Sequence, residues 1–409
     1  MGLFLAGLAA NACVNARTVA VTSEKTGFEA NTYLRDGKGW TSWRANAAAS
    51  GIQIQFDMNL LVDDDFDTDT KGAAPDSTDE WVVLSGAVTV EDDPVTPAEG
   101  ALRFGAANSE AYVDFELSQG KTYRFSMDLY AGSTDDMVAY IIDLDRHRYW
   151  TGSAWATSKT AFATKSGTGY ATSADDVTFE QPNEFAAGPT RCRLLFEKEG
   201  TTDVGYVDLV FVIPKIDFAA VVGLIDVPDS VDILAQSKAG ALASYTTRGT
   251  LNTSRYRRFA ELTAPSNPER YWQFLINGEC FFPPWLAVPL LGEAVYFTRN
   301  PRYGMATVRE MPQEGPEGFP TNQSRAQRFS FQMEWAAETE TSLRSIADQL
   351  VGASRHGAEP VLVVPDETRS DFVYGRGGGL RSFSYERVTN PLFTYGLSFN
   401  DDPLGGISQ

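Results

Sequence analysis

The sequence predicts an all-β protein built from several domains, mainly β-sandwiches. Segments in which apolar and polar residues alternate recur about every eight to twelve residues over much of the chain. The chain has 25 Phe and 16 Tyr together with 35 Gly and 20 Pro, a mixture that favours short strands joined by tight turns. At 409 residues the chain is too long for one β-domain, so two to four domains are expected, by a rough prior.

The N-terminal segment, residues 1–58, reads as short strands and turns. Its last strand is predicted at 51–57, where Ile52, Ile54 and Phe56 alternate with polar residues, as in a half-buried strand. Residues 60–100 then carry twelve acidic side chains against a single basic residue, Lys71. This change in composition predicts a turn-rich, solvated entry into a second domain.

Two further stretches of strands follow. Between residues 81 and 212 the segments 111–117, 122–129, 138–143 and 205–212 have the spacing of a β-sandwich. Alternation starts afresh at 215–222 and continues to 270–276.

The last 110 or so residues predict a β-domain with one helix. The expected strands are 328–334, 360–364, 380–385 and 392–399. The helix is expected at 339–351, because Leu343, Ile346 and Leu350 form an apolar stripe. Gly352 follows at a position that suits a C-terminal cap.

The net charge and the small number of reactive side chains argue against several classes of function. A net charge of −20 and a pI near 4.5 disfavour nucleic-acid binding, which needs a basic groove. No stretch approaches the roughly 20 apolar residues of a membrane span, so no membrane insertion is expected. The widely spaced Cys13, Cys192 and Cys280 predict buried free thiols rather than disulfides or a zinc site. With only two histidines and no nucleophile elbow or phosphate loop, no enzymatic activity is expected.

Three segments resemble a discoidin-like (galactose-binding-like) module of the kind found in bacteriophage tail proteins. They are 31–37 with Trp40 and Trp43 leading into 52–57, then 216–224, and finally 270–276 followed by 283–297. About 150 residues separate the first two segments, and surface loops tolerate such insertions. The resemblance therefore implies a discoidin-like jelly roll that is interrupted by a second domain.

The inserted stretch resembles carbohydrate-binding sandwiches of phage fibres and secreted glycosidases, on the segments 59–61, 120–127 and 148–155. The final segment resembles the C-terminal parts of phage tail-tip proteins, most clearly at 358–366. The implied domains are a discoidin-like first part, an inserted jelly roll, a discoidin-like second part and a C-terminal tail-assembly β-domain, at 1–58, 59–213, 214–298 and 299–409.

These resemblances imply a structural subunit of a bacteriophage tail tip or baseplate, in a distal-tail or upper-baseplate ring. The expected partners are other copies of the chain, other tail proteins and host cell-surface glycans. The expected location is the virion, after synthesis in the host cytoplasm. The alternatives are a secreted bacterial carbohydrate-binding protein and an accessory module of a glycoside hydrolase.

Tyr149, Trp150 and Trp155 are the candidate sugar-binding residues. They lie near the tip of a predicted hairpin, and aromatic faces suit the C–H faces of sugar rings. The alternative is that the two tryptophans pack under their own loop or against a neighbouring subunit.

Asp63, Asp65 and Asp67 are the candidate metal ligands, and calcium is the ion to consider. The stretch lacks the glycine and the glutamate of an EF-hand, since Thr68 and Ala74 stand at those positions. Related sandwiches often carry a structural calcium near the start of the domain. The alternative is a solvated acidic linker, and no other cofactor is expected.

The candidate assembly interface lies in the C-terminal domain, where aromatic residues and arginines occur together as they do in buried interface centres. The arginines would pair with acidic groups of a neighbouring copy, in a contact that closes into a ring. The alternative is that the aromatics line the domain's own core. The predicted interface residues are Arg376, Arg381, Phe383, Tyr385 and Arg387.

Overall fold

The structure is a computed structural model that describes most of the chain between residues 3 and 401. The ranges outside the description are 1–2, 6–10, 37–41, 59–60, 65, 67–69, 76–80, 98, 106–107, 119–121, 133, 180–188, 201, 239–242, 252–256, 264–268, 297–301, 309–327, 340–360, 365–372, 378–385, 390–391 and 402–409.

The chain divides into two compact units. Unit 1 comprises Met1–Asn59, Ile216–Pro265 and Glu269–Gln409, and unit 2 comprises Leu60–Lys215 with Ser266–Pro268. The domain boundaries predicted from the sequence, and the assignment of the flanking parts to a discoidin-like module, stay predictions.

The secondary structure is nearly all β, as the sequence predicts. The elements before unit 2 are β1 (Leu3–Leu5), β2 (Thr18–Val21), α1 (Ala30–Tyr33), β3 (Trp43–Arg44) and β4 (Ser50–Asp57). Those of unit 2 are β5 (Val62–Asp64), β6 (Trp81–Ser85), β7 (Val88–Asp92), β8 (Gly100–Phe104), β9 (Glu110–Ser118), β10 (Thr122–Tyr130), β11 (Asp136–Asp143), β12 (Arg148–Trp150), β13 (Trp155–Ala156), β14 (Ala163–Ser166), β15 (Tyr170–Thr178), β16 (Pro189–Glu199) and β17 (Gly205–Pro214).

The remaining strands belong to unit 1. They are β18 (Phe218–Val222), β19 (Asp232–Lys238), β20 (Thr246–Leu251), β21 (Arg257–Glu261), β22 (Tyr271–Glu279), β23 (Trp285–Leu286), β24 (Val288–Gly292), β25 (Ala294–Tyr296), β26 (Arg302–Val308), β27 (Arg328–Thr339), β28 (Val361–Val364), β29 (Val373–Gly377), β30 (Glu386–Thr389) and β31 (Leu392–Asp401).

Unit 2 is a sandwich of two antiparallel sheets. One sheet, called here the front sheet, has the order β15-β10-β17-β8-β7, with β5 also paired to β17. The other, the back sheet, has the order β13-β12-β11-β16-β9-β6, with β14 also paired to β11. Alternate residues of the strands fill the space between the sheets; in β10 these are Tyr123, Phe125, Met127 and Leu129.

A bulge in β17 sets which side chains of the front sheet face outward. The pairing of β10 with β17 shifts register between Ser126 and Asp128, and Leu209 has a positive φ of 49°. Val207 and Val210 both enter the core although they are three residues apart. The extra residue thus keeps the outward side of β17 continuous across the sheet.

The described residues of unit 1 form four further sheets. Strands β2-β4-β22-β19-β20 form one, and three strands, β21-β18-β24, form another. A third sheet follows the path β25-β1-β28-β29-β31-β27-β26, with β30 paired to β31, and the fourth is β23-β3. The N-terminal strand β1 pairs with both β25 and β28, so it lies among C-terminal strands rather than with β2 and β4.

The predicted C-terminal helix at 339–351 lies outside the described residues, apart from Thr339, which ends β27. Within the described part of the chain the helical element is α1, four residues long, which the sequence did not predict. The three cysteines are free and buried, as predicted.

We expect unit 2 to fold without the rest of the chain, because its two sheets share one core formed by its own residues. Residues 60–215 expressed alone, and a variant joining residues 59 and 216 through a Gly/Ser linker, should each show one cooperative thermal transition. Circular dichroism in the near ultraviolet measures this. Aggregation or a non-cooperative melt of either product would contradict the insertion of a self-sufficient domain.

Candidate functional site

Three tyrosines form a row across the outward side of the front sheet. Tyr130 of β10 lies directly opposite Tyr170 of β15 on one side and Tyr206 of β17 on the other. Residues that are opposite each other in neighbouring strands point to the same face. Their chain neighbours Leu129 and Val207 enter the core, so the tyrosine rings point away from it.

The rings of this tyrosine row contact one another edge to face and stay half-buried. The ring centroids of Tyr130 and Tyr170 are 5.4 Å apart, and those of Tyr130 and Tyr206 are 5.7 Å apart. Both contacts are T-shaped, the arrangement that aromatic quadrupoles favour. Part of each ring therefore remains accessible on the surface of the sandwich.

Carboxylates lie beside the tyrosine row. Asp128 and Asp208 are opposite each other in β10 and β17, and Thr172 of β15 is opposite Asp128 on the other side. The Tyr170 hydroxyl donates a hydrogen bond of 2.6 Å to Oδ2 of Asp93. Asp93, Asp128 and Asp208 are called the carboxylate group below.

This environment raises the pKa values of Asp128 and Tyr170. Burial raises the pKa of Asp128, and the charge of Asp93 raises it further, although the Thr172 side chain opposes the shift through a hydrogen bond. The pKa of Tyr170 is raised strongly by burial, by its bond to Asp93 and by the charges of the carboxylate group. The negative charges therefore act on the same small region of the face.

Asp93 also shapes the hairpin that joins β7 to β8. Its Oδ1 accepts hydrogen bonds from the backbone N–H groups of Val95 and Thr96, at 2.6 Å and 2.5 Å. Strands β7 and β15 are the two ends of the strand path, so the bond from Tyr170 to Asp93 links opposite edges of the front sheet. This link holds the hairpin beside the tyrosine row.

A buried ion pair involves residues that lie close in sequence to Tyr130 and Tyr206. Lys198 Nζ donates to Asp135 Oδ2 at 2.7 Å, and the Lys198 side chain is fully buried. Asp135 also accepts bonds from the backbone N–H groups of Thr202 and Asp203, at 2.9 Å and 2.8 Å. The bond from Lys198 contributes most to the lowered pKa of Asp135, followed by that from the Asp203 backbone.

The ion pair connects the two loops that flank the tyrosine row. Asp135 follows the end of β10 at Tyr130, and the loop that contains Asp203 precedes β17, in which Tyr206 is the second residue. A second contact joins the loops directly, since the Thr134 backbone N–H donates to Asp203 Oδ2 at 3.0 Å. Two ring positions in the row therefore depend on this network.

The predicted aromatic hairpin forms, but its tryptophans pack inward. Trp150 and Trp155 are paired in β12 and β13, with ring centroids 5.3 Å apart, and both pack against the core of the sandwich. Trp150 Nε1 donates to Asp175 Oδ2 at 2.8 Å. Trp155 Nε1 donates to the Thr178 carbonyl at 3.2 Å. Both side chains remain partly exposed.

Tyr149 lies on the other side of the back sheet from the two tryptophans. Its ring contacts Tyr140 with centroids 6.3 Å apart and packs on a small apolar cluster that includes Val138, Ile142 and Leu195. The structure therefore does not bring Tyr149, Trp150 and Trp155 together on one face. Their role in sugar binding stays a prediction without a shared surface to support it.

The predicted metal and interface residues lie largely outside the described part of the chain. Asp63 is the middle residue of β5 and is described by its backbone alone, and Asp65 and Asp67 lie outside the description. Among the described residues, no group of three or more His, Cys, Asp and Glu side chains is arranged to hold a metal ion. Calcium binding by the acidic stretch stays a prediction.

The predicted interface residues are also described only in part. Arg376 and Arg387 lie in β29 and β30, described by their backbones, and Arg381, Phe383 and Tyr385 lie outside the description. The ring contact stays a prediction. In the described residues, no helix is both long enough and apolar enough to span a membrane.

No protein-family model matches the sequence, and a search of curated proteins finds no match. Among solved structures, the chain is similar to TmCBM61 in complex with β-1,4-galactotriose, at 16% identity and a TM-score of 0.23, covering 33% of this chain and 88% of that one. It is also similar to the CBM22-1 xylan-binding domain of Xyn10C from Paenibacillus barcinonensis, at 13% identity and a TM-score of 0.27, covering 41% and 97%.

A third similar structure is the enzymatically active domain of tailspike protein 4 of bacteriophage CBA120. It is 12% identical, with a TM-score of 0.23, covering 33% of this chain and 19% of that one. All three TM-scores are below 0.5, and similarity at this level carries no functional conclusion.

We expect Trp155→Ala to destabilise the protein, because Trp155 packs against the core and its ring centroid lies 5.1 Å from that of Phe179. Chemical denaturation should show a loss of about 3 kcal/mol in the free energy of unfolding. The matched variant Trp155→Phe keeps a ring and loses the N–H bond, so about 1 kcal/mol is expected. Unchanged stability with lost glycan binding would instead place Trp155 in a sugar site.

Proposed function

We propose that this chain is a non-catalytic glycan-binding protein that contacts sugar through the outward side of the front sheet. The observation that supports this most is the tyrosine row, Tyr130, Tyr170 and Tyr206, with the carboxylate group beside it. Half-buried aromatic rings next to fixed polar acceptors are typical of sites that combine apolar contact with orientation.

The two kinds of side chain suit the two kinds of surface on a sugar. The C–H face of a pyranose ring packs on an aromatic ring, and desolvation of both surfaces favours the contact. Sugar hydroxyls donate hydrogen bonds, and ionised carboxylates accept them more strongly than neutral acceptors do. Asp128 is partly exposed beside the rings and can accept such bonds, and the Thr172 hydroxyl can accept another. Asp208 is nearly fully buried, and its Oδ1 already accepts the Leu209 backbone N–H at 2.7 Å, so it acts through its charge.

The arrangement of the carboxylates favours binding over hydrolysis. Glycosidases place two carboxyl groups on either side of the scissile bond. Asp128 and Asp208 instead lie side by side on one sheet face. Asp93 is engaged by Tyr170 and by two backbone N–H groups, and these bonds hold its carboxylate in place beside the row.

The biological setting that we propose is the tip of a bacteriophage tail, with the chain as a structural subunit and unit 2 as the host-recognising arm. The support is the order of the sequence segments that resemble tail-tip proteins on both sides of residues 60–215. In this setting the subunit resides in the virion, and other copies and other tail proteins are its partners.

A glycan array with the full chain tests the binding proposal. Tyr130→Ala and Tyr206→Ala should each weaken binding about tenfold, since each removes one stacked ring. The matched control is Tyr112→Ala, which changes a tyrosine that lies under the Arg193 guanidinium on the outward side of the back sheet; its binding should equal that of the wild type. Bound glycan should be recovered intact by mass spectrometry.

No binding by the wild type, or equal loss in the Tyr112 control, would contradict the proposed face. Shortened oligosaccharides that disappear after a single Asp or Glu substitution would show an enzyme instead.

Electron microscopy of the purified protein in negative stain tests the structural role. We expect closed rings of the chain, since a net charge of −20 keeps copies apart unless specific surfaces bring them together. Light scattering at the same concentration should report one oligomeric mass. A monomer at all accessible concentrations that still binds glycan would favour the secreted carbohydrate-binding alternative.

A further inference from the structure

We infer that the tyrosine row selects its glycan by charge, preferring ammonium-bearing sugars to neutral ones and neutral sugars to anionic ones. The inference rests on the proposed function, because it concerns the ligand of the same face. It follows from the balance of charged side chains around the three rings.

The far end of the front sheet carries its own ion pairs, in which two cations share one carboxylate. Arg124 of β10 contacts Asp176 of β15 at 3.1 Å. Lys215, just beyond β17, contacts the same carboxylate at 3.6 Å. Arg124 and Asp176 are six residues along their strands from Tyr130 and Tyr170, about 20 Å at the rise of a strand. The cations of this end are therefore too distant to neutralise charge at the tyrosine row.

The end that carries the rings has an excess of negative charge. The carboxylate group lies there. Glu91 of β7 also faces outward, as does Thr89, whose hydroxyl donates a hydrogen bond of 3.2 Å to the Glu91 carboxylate. The charge that opposes them is Arg103 of β8, directly opposite Tyr206. Glu91 and the three members of the carboxylate group thus outweigh the one guanidinium of Arg103 on this side of the described strands. Asp93 and Asp208 are buried and contribute through their charge, and the Lys71 ammonium near the hairpin is paired with Asp92. The environment of Tyr170, described above, agrees with a negative local field.

The rings themselves add a second preference for positive charge. The face of a tyrosine ring carries negative quadrupolar charge, and an ammonium within about 6 Å of the centroid is attracted to it. Tyr130 lies between two further tyrosines in edge-to-face contact. An amino group on a bound sugar would therefore find both ring faces and carboxylates, whereas a uronate carboxylate would meet like charge from Asp128 and Asp208.

The test uses the full chain and an array that displays several sugar backbones, each in three forms: with a free amine, with hydroxyls alone and with a uronic acid. For each backbone that binds, affinity should fall from amine to neutral to uronate, by about tenfold at each step for half-buried charges a few ångströms apart. Sodium chloride at about 1 M should reduce these differences in affinity, because the electrostatic screening length falls to about 3 Å.

Asp128→Asn provides the specific variant, because it removes one charge beside the rings and keeps a side chain of the same shape. The ratio of amine to uronate binding should fall about tenfold. Asp114→Asn is the matched control: it removes the same charge on the back sheet, where Asp114 contacts Arg193 at 2.7 Å, and should leave the ratio at the wild-type value.

The outcomes separate the inference from the proposal on which it rests. Uronates that bind as well as or better than neutral forms would overturn the charge preference and leave glycan binding intact. An unchanged ratio in Asp128→Asn, with stability preserved, would also overturn it. Binding to none of the sugars would overturn the proposed function together with this inference.

Discussion

The buried ion pair between Lys198 and Asp135 is the interaction on which the candidate site depends. A fully buried ammonium is costly unless its hydrogen bonds are satisfied, and here Lys198 donates to Asp135 and to the Gly200 carbonyl. Asp135 in turn accepts the backbone N–H groups of the loop that leads into β17. The pair therefore stabilises one geometry of the loops after Tyr130 and before Tyr206. Because the row of rings is then rigid, it loses little conformational entropy when a ligand binds.

The two outward faces of the sandwich have different chemistry, and this difference locates the site. On the back sheet the outward side chains form an apolar cluster that is covered from within the chain, by Tyr149 and Ala161 and by Lys159, whose ammonium lies 4.7 Å from the Tyr140 ring centroid. The front sheet presents half-buried tyrosines and the partly exposed carboxylate of Asp128, whereas Asp93 and Asp208 are buried. A covered apolar face stabilises the fold, whereas a half-exposed face with fixed acceptors remains available to a polar ligand.

Alternation in the sequence predicted four strands of the sandwich, β9, β10, β11 and β17, and the resemblance to carbohydrate-binding sandwiches included the segment that forms the hairpin of β12 and β13. Alternation left the aromatic residues undecided, because a period of two assigns side chains to two faces without saying which face is the core. For Trp150 and Trp155 both exposure and packing stayed open, and the structure packs both against the core while leaving them partly exposed. The tyrosine row was not predicted, because its three residues lie in strands that are distant in sequence. The register that aligns Tyr130 with Tyr206 also depends on a bulge at Leu209, which the local sequence does not predict.

Hydrogen–deuterium exchange of the full chain, with and without its best-binding glycan, tests the central claim most directly. A ligand on the tyrosine row should slow exchange in β10, β15 and β17 and in the hairpin at Asp93, while β9 and β16 of the back sheet stay unchanged. Protection confined to the hairpin at Trp150 and Trp155, or to the outward side of the back sheet, would contradict the account.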